Sequence, residues 1–155
     1  MAISVQVDAT RALSKLSAVP EAVRRNLRAI MPPILEALGN LVDQKLDEGL
    51  KTRRRLVVKK QFNAASLYGT VSVISTGDPS YLPEILESGA RAHMIYGDPR
   101  LFFFSEKLGH LIGPFQVHHP GFPGIHYMEG AVSEMRRDIL SELGEAVRTG
   151  AREAR

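Results

Sequence analysis

The segment spanning residues 20–49, PEAVRRNLRAIMPPILEALGNLVDQKLDEG, decides the fold of this chain. Apolar residues recur through it mostly at steps of three and four, the spacing that places them on one face of an α-helix. These positions are Val23, Leu27, Ile30, Ile34, Leu38, Leu41 and Leu46. Proline favours the first turn of a helix and glycine favours its end, so Pro20 and Gly49 are predicted to bound one long amphipathic helix.

Two adjacent prolines, Pro32 and Pro33, lie inside this predicted helix. A proline within a helix removes a backbone hydrogen bond and clashes with the preceding turn, at a cost of about 3 kcal/mol or more. Because the apolar phase continues across the pair, the sequence favours a kinked helix or two abutting helices over two separate units.

The region upstream of the long helix predicts two short elements. Ile3, Val5 and Val7 alternate with polar residues, and this period of two indicates a strand. A short helix containing Leu13 and Leu16 is predicted to follow it.

The composition changes after the long helix, where six cations fall within ten residues: Lys51, Arg53, Arg54, Arg55, Lys59 and Lys60. Such a run can neutralise phosphates and would give nucleic-acid binding a steep salt dependence. The sequence leaves open a solvated loop, an edge strand protected by charge, and contact with an acidic protein surface. No aromatic residues are interleaved with the cations, so base stacking is not indicated. Residues 51–63 are interpreted as a possible basic extended loop.

Further strands and a short helix are predicted in the middle of the chain. Residues 56–58 and the alternating residues 67–73 indicate two strands of an antiparallel hairpin or meander. Residues 81–87 indicate a short helix with Gly89 as a left-handed stop. A third and a fourth strand are predicted at residues 101–104 and 115–118, with residues 107–110 as the turn between them.

The last part of the chain predicts a helix with Val132, Met135, Ile139, Leu143 and Val147 on its inward face. Residues 149–155 are expected to fray. The expected fold is therefore α+β, with a long N-terminal helix, a small mostly antiparallel sheet of about four strands, and a C-terminal amphipathic helix. The 155 residues suit a single domain.

The bulk composition narrows the classes of function. The net charge of +3 and the pI of about 9.4 permit an acidic partner but require none. The chain contains no cysteine, so it has no disulfide or thiolate chemistry, which fits a reducing cytosol or a particle assembled there. No run approaches the ~20 apolar residues that span a bilayer, and no membrane partner is expected.

The five histidines raise the question of a metal or catalytic site: His93, His110, His118, His119 and His126. A metal site would have to gather three of them with Glu87 or Glu129. His118 and His119 are adjacent in a predicted strand and point to opposite faces, which is unsuited to sharing an ion. The chain also lacks a Gly-x-Ser-x-Gly elbow and a glycine-rich phosphate loop. We therefore expect hydrogen-bonded structural histidines, with no enzymatic activity, no metal and no cofactor.

Three consecutive phenylalanines, Phe102, Phe103 and Phe104, suggest a surface that needs cover. In a strand, Phe102 and Phe104 share one face while Phe103 takes the other. If one face meets the core of the domain, a neighbouring subunit could cover the opposite face. Cover by the two helices of the same chain is the alternative.

The order of these elements resembles a family of small tail-completion proteins, also called head–tail joining or neck proteins, of long-tailed bacteriophages. After the long helix, the resemblance rests on Tyr81 with Glu87 and Gly89, His93 with Ile95, Phe102 to Phe104, His119-Pro120-Gly121, and Ala131 in the opening of the last helix. The basic run departs from the family, which often has Pro-x-x-Thr-Gly-x-Leu there. Ile125-His126-Tyr127-Met128 stands where a proline-phenylalanine pair is usual.

This resemblance implies structural work instead of catalysis. Such proteins form rings, commonly sixfold, between the capsid connector and the tail tube, through head-to-tail interfaces that close on rotation. The implied location is the virion neck or tail, after assembly in the cytoplasm of the bacterial host. The implied partners are copies of the chain itself and other neck, connector and tail-tube proteins.

The resemblance also directs attention to particular residues. The candidate subunit interface comprises Tyr81, Glu87, Gly89, His93, Phe102, Phe103, Phe104, His118, His119, Pro120 and Gly121. Within it, Glu87 is expected to cap or orient backbone donors instead of transferring protons. The basic run could face DNA without sequence preference, or an acidic partner ring. The alternative function is a small nucleic-acid-binding module that uses residues 51–60.

Overall fold

The computed structural model describes residues 3–8, 20–50, 55–77, 79–97, 102–105, 109–113 and 116–154. The three helices are α1 (Glu21–Gly49), α2 (Leu82–Ser88) and α3 (Tyr127–Glu153). The first strands in chain order are β1 (Ile3–Asp8), β2 (Leu56–Asn63), β3 (Tyr68–Ser75) and β4 (Gly89–Ala90). The others are β5 (His93–Tyr96), β6 (Phe103–Ser105), β7 (His110–Ile112), β8 (Gln116–His119) and β9 (Phe122–Pro123).

The prediction of an α+β fold with a long N-terminal helix, antiparallel strands and a C-terminal helix is confirmed. The strands do not form one sheet. They divide into a three-stranded antiparallel sheet in the order β1-β3-β2 and three two-stranded ladders, which are β4-β9, β5-β8 and β6-β7.

Helix α1 is continuous through Pro32 and Pro33, which excludes two abutting helices. Pro20 stands at its N-cap, as predicted. Both internal prolines lie on the exposed side of the helix, so the carbonyl groups that lose their partners can be hydrated. The neighbouring Met31 and Ile34 are buried, and their packing offsets the cost of the prolines.

Helices α1 and α3 form an antiparallel pair, and they make the most extensive contact between any two described elements. Lys45 near the end of α1 forms an ion pair with Glu134 near the start of α3, at 2.9 Å. At the other end of the pair, Gly150 lies directly against the backbone of Val23. The pair packs on one face of the three-stranded sheet.

The main core lies between this helix pair and the sheet. Leu38, Val42 and Leu46 of α1 meet Val71 and Val73 of β3 there. Tyr127 from the first turn of α3 is fully buried in the same cluster, and its hydroxyl donates to the carbonyl oxygen of Pro83 in α2 at 2.9 Å. Burial raises the pKa of Tyr127 well above its ordinary value, and the nearby Glu87 carboxylate adds to the shift.

Several local predictions need correction. The described part of the supposed loop at residues 51–63 is strand β2 from Leu56 onward, because Leu56, Val58 and Phe62 alternate toward the core. His110 begins strand β7 instead of lying in a turn. The C-terminal residues do not fray at Thr149, since α3 continues to Glu153 and docks on α1.

Two further predictions concern parts of the two terminal helices. Val147 is 39% exposed and does not belong to the inward face of α3, whereas Ala146 and Gly150 do. The predicted helix with Leu13 and Leu16 lies outside the described residues.

None of the helices that the structure describes combines the length and apolar character needed to cross a bilayer.

Candidate subunit interface

The segment between α2 and α3 folds into a two-stranded antiparallel ribbon, which we call the arm (described residues of 89–123). Its three ladders are nested: Gly89 pairs with Pro123, His93 with His119, and Phe103 with Ile112. Strands β5 to β8 pack extensively only against their own ladder partners among the described elements. Among its described residues, the arm is therefore attached to the body of the protein mainly at its base.

The arm is the least covered part of the structure that is described. None of the arm residues whose burial the structure describes is buried, although the arm carries many large apolar side chains. Phe102 is 73% exposed, Tyr96 71%, Leu111 68% and Phe104 60%. Water-facing side chains of this size, grouped on one projecting element, mark an interaction surface more often than a free surface.

The phenylalanine run lies near the tip of the arm. Phe104 stands opposite Leu111 in the β6-β7 ladder, and the ring of Phe102 lies over Gly113. The backbone of Phe103 pairs with that of Ile112. Cover of Phe102 and Phe104 by the helices of the same chain, the alternative that the sequence left open, is thus contradicted by their exposure.

The histidines of the arm make structural contacts. The rings of His93 and His119 stack across the β5-β8 ladder with their centroids 5.0 Å apart. The Nδ1 atom of His93 lies 2.8 Å from the Arg91 carbonyl oxygen, and the Nδ1 atom of His119 accepts the Gly121 amide hydrogen at 3.0 Å. His118 lies on the face of the ribbon away from the rings of His93 and His119, where it is the cross-strand partner of Met94. This agrees with the expectation that adjacent histidines diverge.

The corner after the stacked pair depends on Gly121. Its φ of 78° lies in the region that glycine adopts without strain, and a side chain would collide with the backbone of Ala90 and Ala92. Pro120 before it is exposed. The predicted corner His119-Pro120-Gly121 therefore turns the chain from β8 into β9, close to the base of the arm.

The base of the arm is tied firmly to the body through Glu87. Its two carboxylate oxygens accept the amide hydrogens of Met128 and Glu129, at 2.9 and 2.8 Å. Its carbonyl oxygen accepts the His126 amide hydrogen at 3.2 Å. The predicted capping role of Glu87 is confirmed: from outside α3 it satisfies two amides of the first turn, where a negative charge is favoured.

The two chain segments at the base approach each other closely. Gly89 ends α2 with a φ of 82°, so the predicted stop is confirmed. Gly124 lies against the carbonyl group of Glu87 with no room for a side chain. Tyr81, at the N-cap of α2, is 52% exposed and lies outside the arm.

Glu87, His126 and Glu129 bring ligand atoms within 4.8 Å of one another, which is the kind of cluster that can hold a metal ion. Helix capping accounts for it, because both Glu87 oxygens are engaged by amides. The His126 ring also pairs with Glu129 at 3.2 Å. The donor set therefore works as a helix cap, and nothing in its geometry calls for an ion.

The basic run is divided by the structure. Lys60 lies along the surface of α1 over Gly39, and its ammonium group binds Glu36 at 2.6 Å and Asn40 at 3.4 Å. Because this ion pair balances the charge of Lys60 within the chain, Lys60 is less available to DNA than its place in the basic run implies, and its contact with DNA stays a prediction. Lys59 is exposed, and its side chain alternates to the opposite face of β2.

The other cations of the run are Arg55 and three residues outside the described part of the chain. Arg55 immediately precedes β2, where its carbonyl oxygen accepts the Thr76 amide hydrogen at 2.7 Å. Lys51, Arg53 and Arg54 lie outside the described residues. Within the described part of the chain, the run does not form one continuous patch.

Comparison with known proteins adds nothing to this geometry. No protein-family model, no curated protein and no solved structure matches the chain. The arm and its base are therefore the features that indicate a function.

Sequence reasoning assigned residues 89–114 and the corner at 118–123 to a subunit contact, but it did not single out Met94, Tyr96 and Leu111 within that segment. Met94 and Tyr96 share one face of β5, and they are 37% and 71% exposed. Their alternation with Ile95 is a weak strand signal over only four residues. The signal that could have found them is the long apolar stretch between α2 and α3. It has no helical period that would place its apolar side chains in the core.

Proposed function

We propose that this chain is a structural, non-enzymatic protein of a bacteriophage virion, which assembles into a ring that completes the tail or joins it to the head. In keeping with the resemblance described above, the ring is sixfold and lies between connector and tail-tube proteins. The chain assembles with these partners in the cytoplasm of the bacterial host. The observation that carries the proposal is the uncovered apolar arm.

The exposed area on the arm is large enough to support assembly. An aromatic side chain buries about 150 to 250 Å² when fully covered, so Tyr96, Phe102 and Phe104 together leave on the order of 400 Å² available. Leu111 and Met94 extend this surface. The total approaches the ~800 Å² that each partner contributes to a standard protein–protein interface.

The architecture of the arm also calls for a partner. An isolated two-stranded ribbon has marginal stability in water, and a third strand or a packed layer is needed to hold it. The described residues of the same chain supply neither to β5 through β8. A neighbouring subunit would supply both, and the ordering of the arm would then accompany assembly.

The direct test compares the self-association of the native chain with that of Phe104→Ser, by native mass spectrometry and sedimentation over a concentration series. Covering the exposed Phe104 ring is worth about 2 to 3 kcal/mol. The variant should therefore associate roughly 30- to 150-fold more weakly. Leu140→Ser is the matched control, because Leu140 on α3 is also 60% exposed but lies far from the arm in sequence.

The proposal requires a defined oligomer that depends on Phe104 and not on Leu140. Equal weakening by both variants would show that general surface hydrophobicity drives association. The proposal would be refuted if the native chain stays monomeric at every concentration and if the head–tail joint of the virion holds no ring of this chain.

A further inference from the structure

The two outer strands of the three-stranded sheet are protected unequally. In the order β1-β3-β2, both β1 and β2 have an edge with no strand beside it among the described residues. Strand β2 carries Lys59 and Lys60, and lysine on an edge strand opposes pairing with another chain. Residues 3–7 of β1, Ile-Ser-Val-Gln-Val, carry no charge. Among the described strands of this sheet, β1 is thus the one whose edge is open to an added strand.

A trough runs along this open edge, between β1 and α3. It has a volume of about 480 Å³, and its apolar lining comes from Ile3 and Val5 of the strand and from Met128 and Val132 of the helix. A strand added beside β1 would point every second side chain into this space. The polar groups of the lining come from Ser4, Glu87, Glu129, Ser133 and Arg136.

Strand β5 in the arm has matching properties. Its residues Met94, Ile95 and Tyr96 carry no charge, and only its β8 side is paired among the described strands. Met94 and Tyr96 lie on the same face of the ribbon, and Tyr96 combines a large apolar ring with a hydroxyl group. That combination suits an apolar trough with polar groups in its lining.

We propose that β5 of one copy pairs with the β1 edge of a second copy, with Met94 and Tyr96 lying in the trough. This inference rests on the assembly proposed above and identifies the surface that receives the arm. The pairing joins a two-stranded ribbon to a three-stranded sheet, so five strands become continuous across the subunit boundary. Because β5 and β1 are different surfaces, the contact is head-to-tail and can close a ring.

The absence of native cysteine allows a direct cross-linking test. Two differently tagged full-length chains are prepared, one with Ser4→Cys and one with Ile95→Cys. By strand alternation, Ser4 lies on the face of β1 opposite Ile3 and Val5, and Ile95 lies on the face of β5 opposite Met94 and Tyr96. The two new thiols would therefore meet across the new ladder. Gln61→Cys on the charged β2 edge is the matched control for Ser4→Cys.

We expect the mixed Ser4→Cys and Ile95→Cys chains to form the heterodimeric disulfide at least about tenfold faster than the Gln61→Cys and Ile95→Cys mixture, because only the first pair would be held in a ladder. Equal rates for the two mixtures would overturn the proposal. An intramolecular disulfide in the Ser4→Cys/Ile95→Cys double variant would also overturn it, since the arm would then fold onto its own β1 edge.

A charge substitution separates this inference from the proposed function. Ser4→Lys adds to β1 the protection that β2 already has, so it should weaken self-association at least about tenfold, whereas Gln61→Lys should not. If Ser4→Lys forms the same oligomer as the native chain, β1 is excluded as the receiving surface, but the proposed ring assembly is not contradicted. A native chain that forms no oligomer, together with virions whose head–tail joint holds no ring of this chain, would remove both.

Discussion

The capping of α3 by Glu87 predicts a large stability change from a single surface-proximal carboxylate. In Glu87→Ala, the amides of Met128 and Glu129 lose both of their acceptors. Loss of a helix cap costs about 0.5 to 2 kcal/mol, and hydrogen bonds to a charged group contribute about 1.5 to 3 kcal/mol. Since Glu87 is only half-buried and water can replace part of the loss, we expect about 2 kcal/mol.

Urea denaturation measures this change directly. With a slope of about 2 kcal/mol per molar urea, the midpoint should fall by about 1 M. The melting temperature should fall by about 4 to 8 °C for a chain of this size. Glu87→Gln keeps one carbonyl acceptor but places an amide donor toward a backbone amide, so its loss should be nearly as large as that of Glu87→Ala.

Glu84→Ala provides the control, since Glu84 is an exposed glutamate on the same short helix. It should change stability by no more than about 0.5 kcal/mol. If Glu87→Ala and Glu84→Ala have equal urea midpoints, the two amide hydrogen bonds contribute nothing measurable to stability. The conclusion that Glu87 ties the base of the arm to the body is then refuted.

Two further predictions test the helix pair and the buried tyrosine. Gly150→Ala should destabilise the protein by about 1 to 3 kcal/mol, because its Cβ would meet the Val23 backbone, whereas Gly144→Ala in the same helix should stabilise it by about 0.5 to 1 kcal/mol. Urea midpoints that shift in the same direction would contradict this. Burial raises the pKa of Tyr127, so above its ordinary value of about 10 the unfolded chain releases a proton that the folded chain keeps. Stability should therefore fall as the pH rises beyond 10, with a smaller slope in Tyr127→Phe, and equal slopes would exclude this contribution.

The elements that the sequence predicted well are those whose signal is local. The apolar period of α1 extends over 29 residues, enough to outweigh two prolines. The stop at Gly89 and the corner at Gly121 follow from single glycines whose positive φ the structure confirms. In each case the deciding interaction lies within a few positions of the residue concerned.

The parts that the sequence did not predict depend on contacts between distant residues. The nesting of three ladders in the arm pairs Gly89 with Pro123, and no local pattern shows that pairing. Lys60 belongs by composition to a basic run, but its partner Glu36 lies 24 positions earlier on α1. Charge density alone left phosphate contact, a solvated loop and a charged edge strand open, and it could not show that the lysine stem covers Gly39.

The contrast between a tied base and an uncovered arm has a consequence for assembly. Glu87 and the close approach at Gly124 restrict the direction in which the arm leaves the body, so less orientational freedom is lost when it docks. A loosely attached apolar arm would meet neighbours at many angles, and head-to-tail contacts that do not close produce open filaments. In the proposed ring, the carboxylate that caps α3 would therefore also favour one repeated angle between subunits, which is the condition for closure.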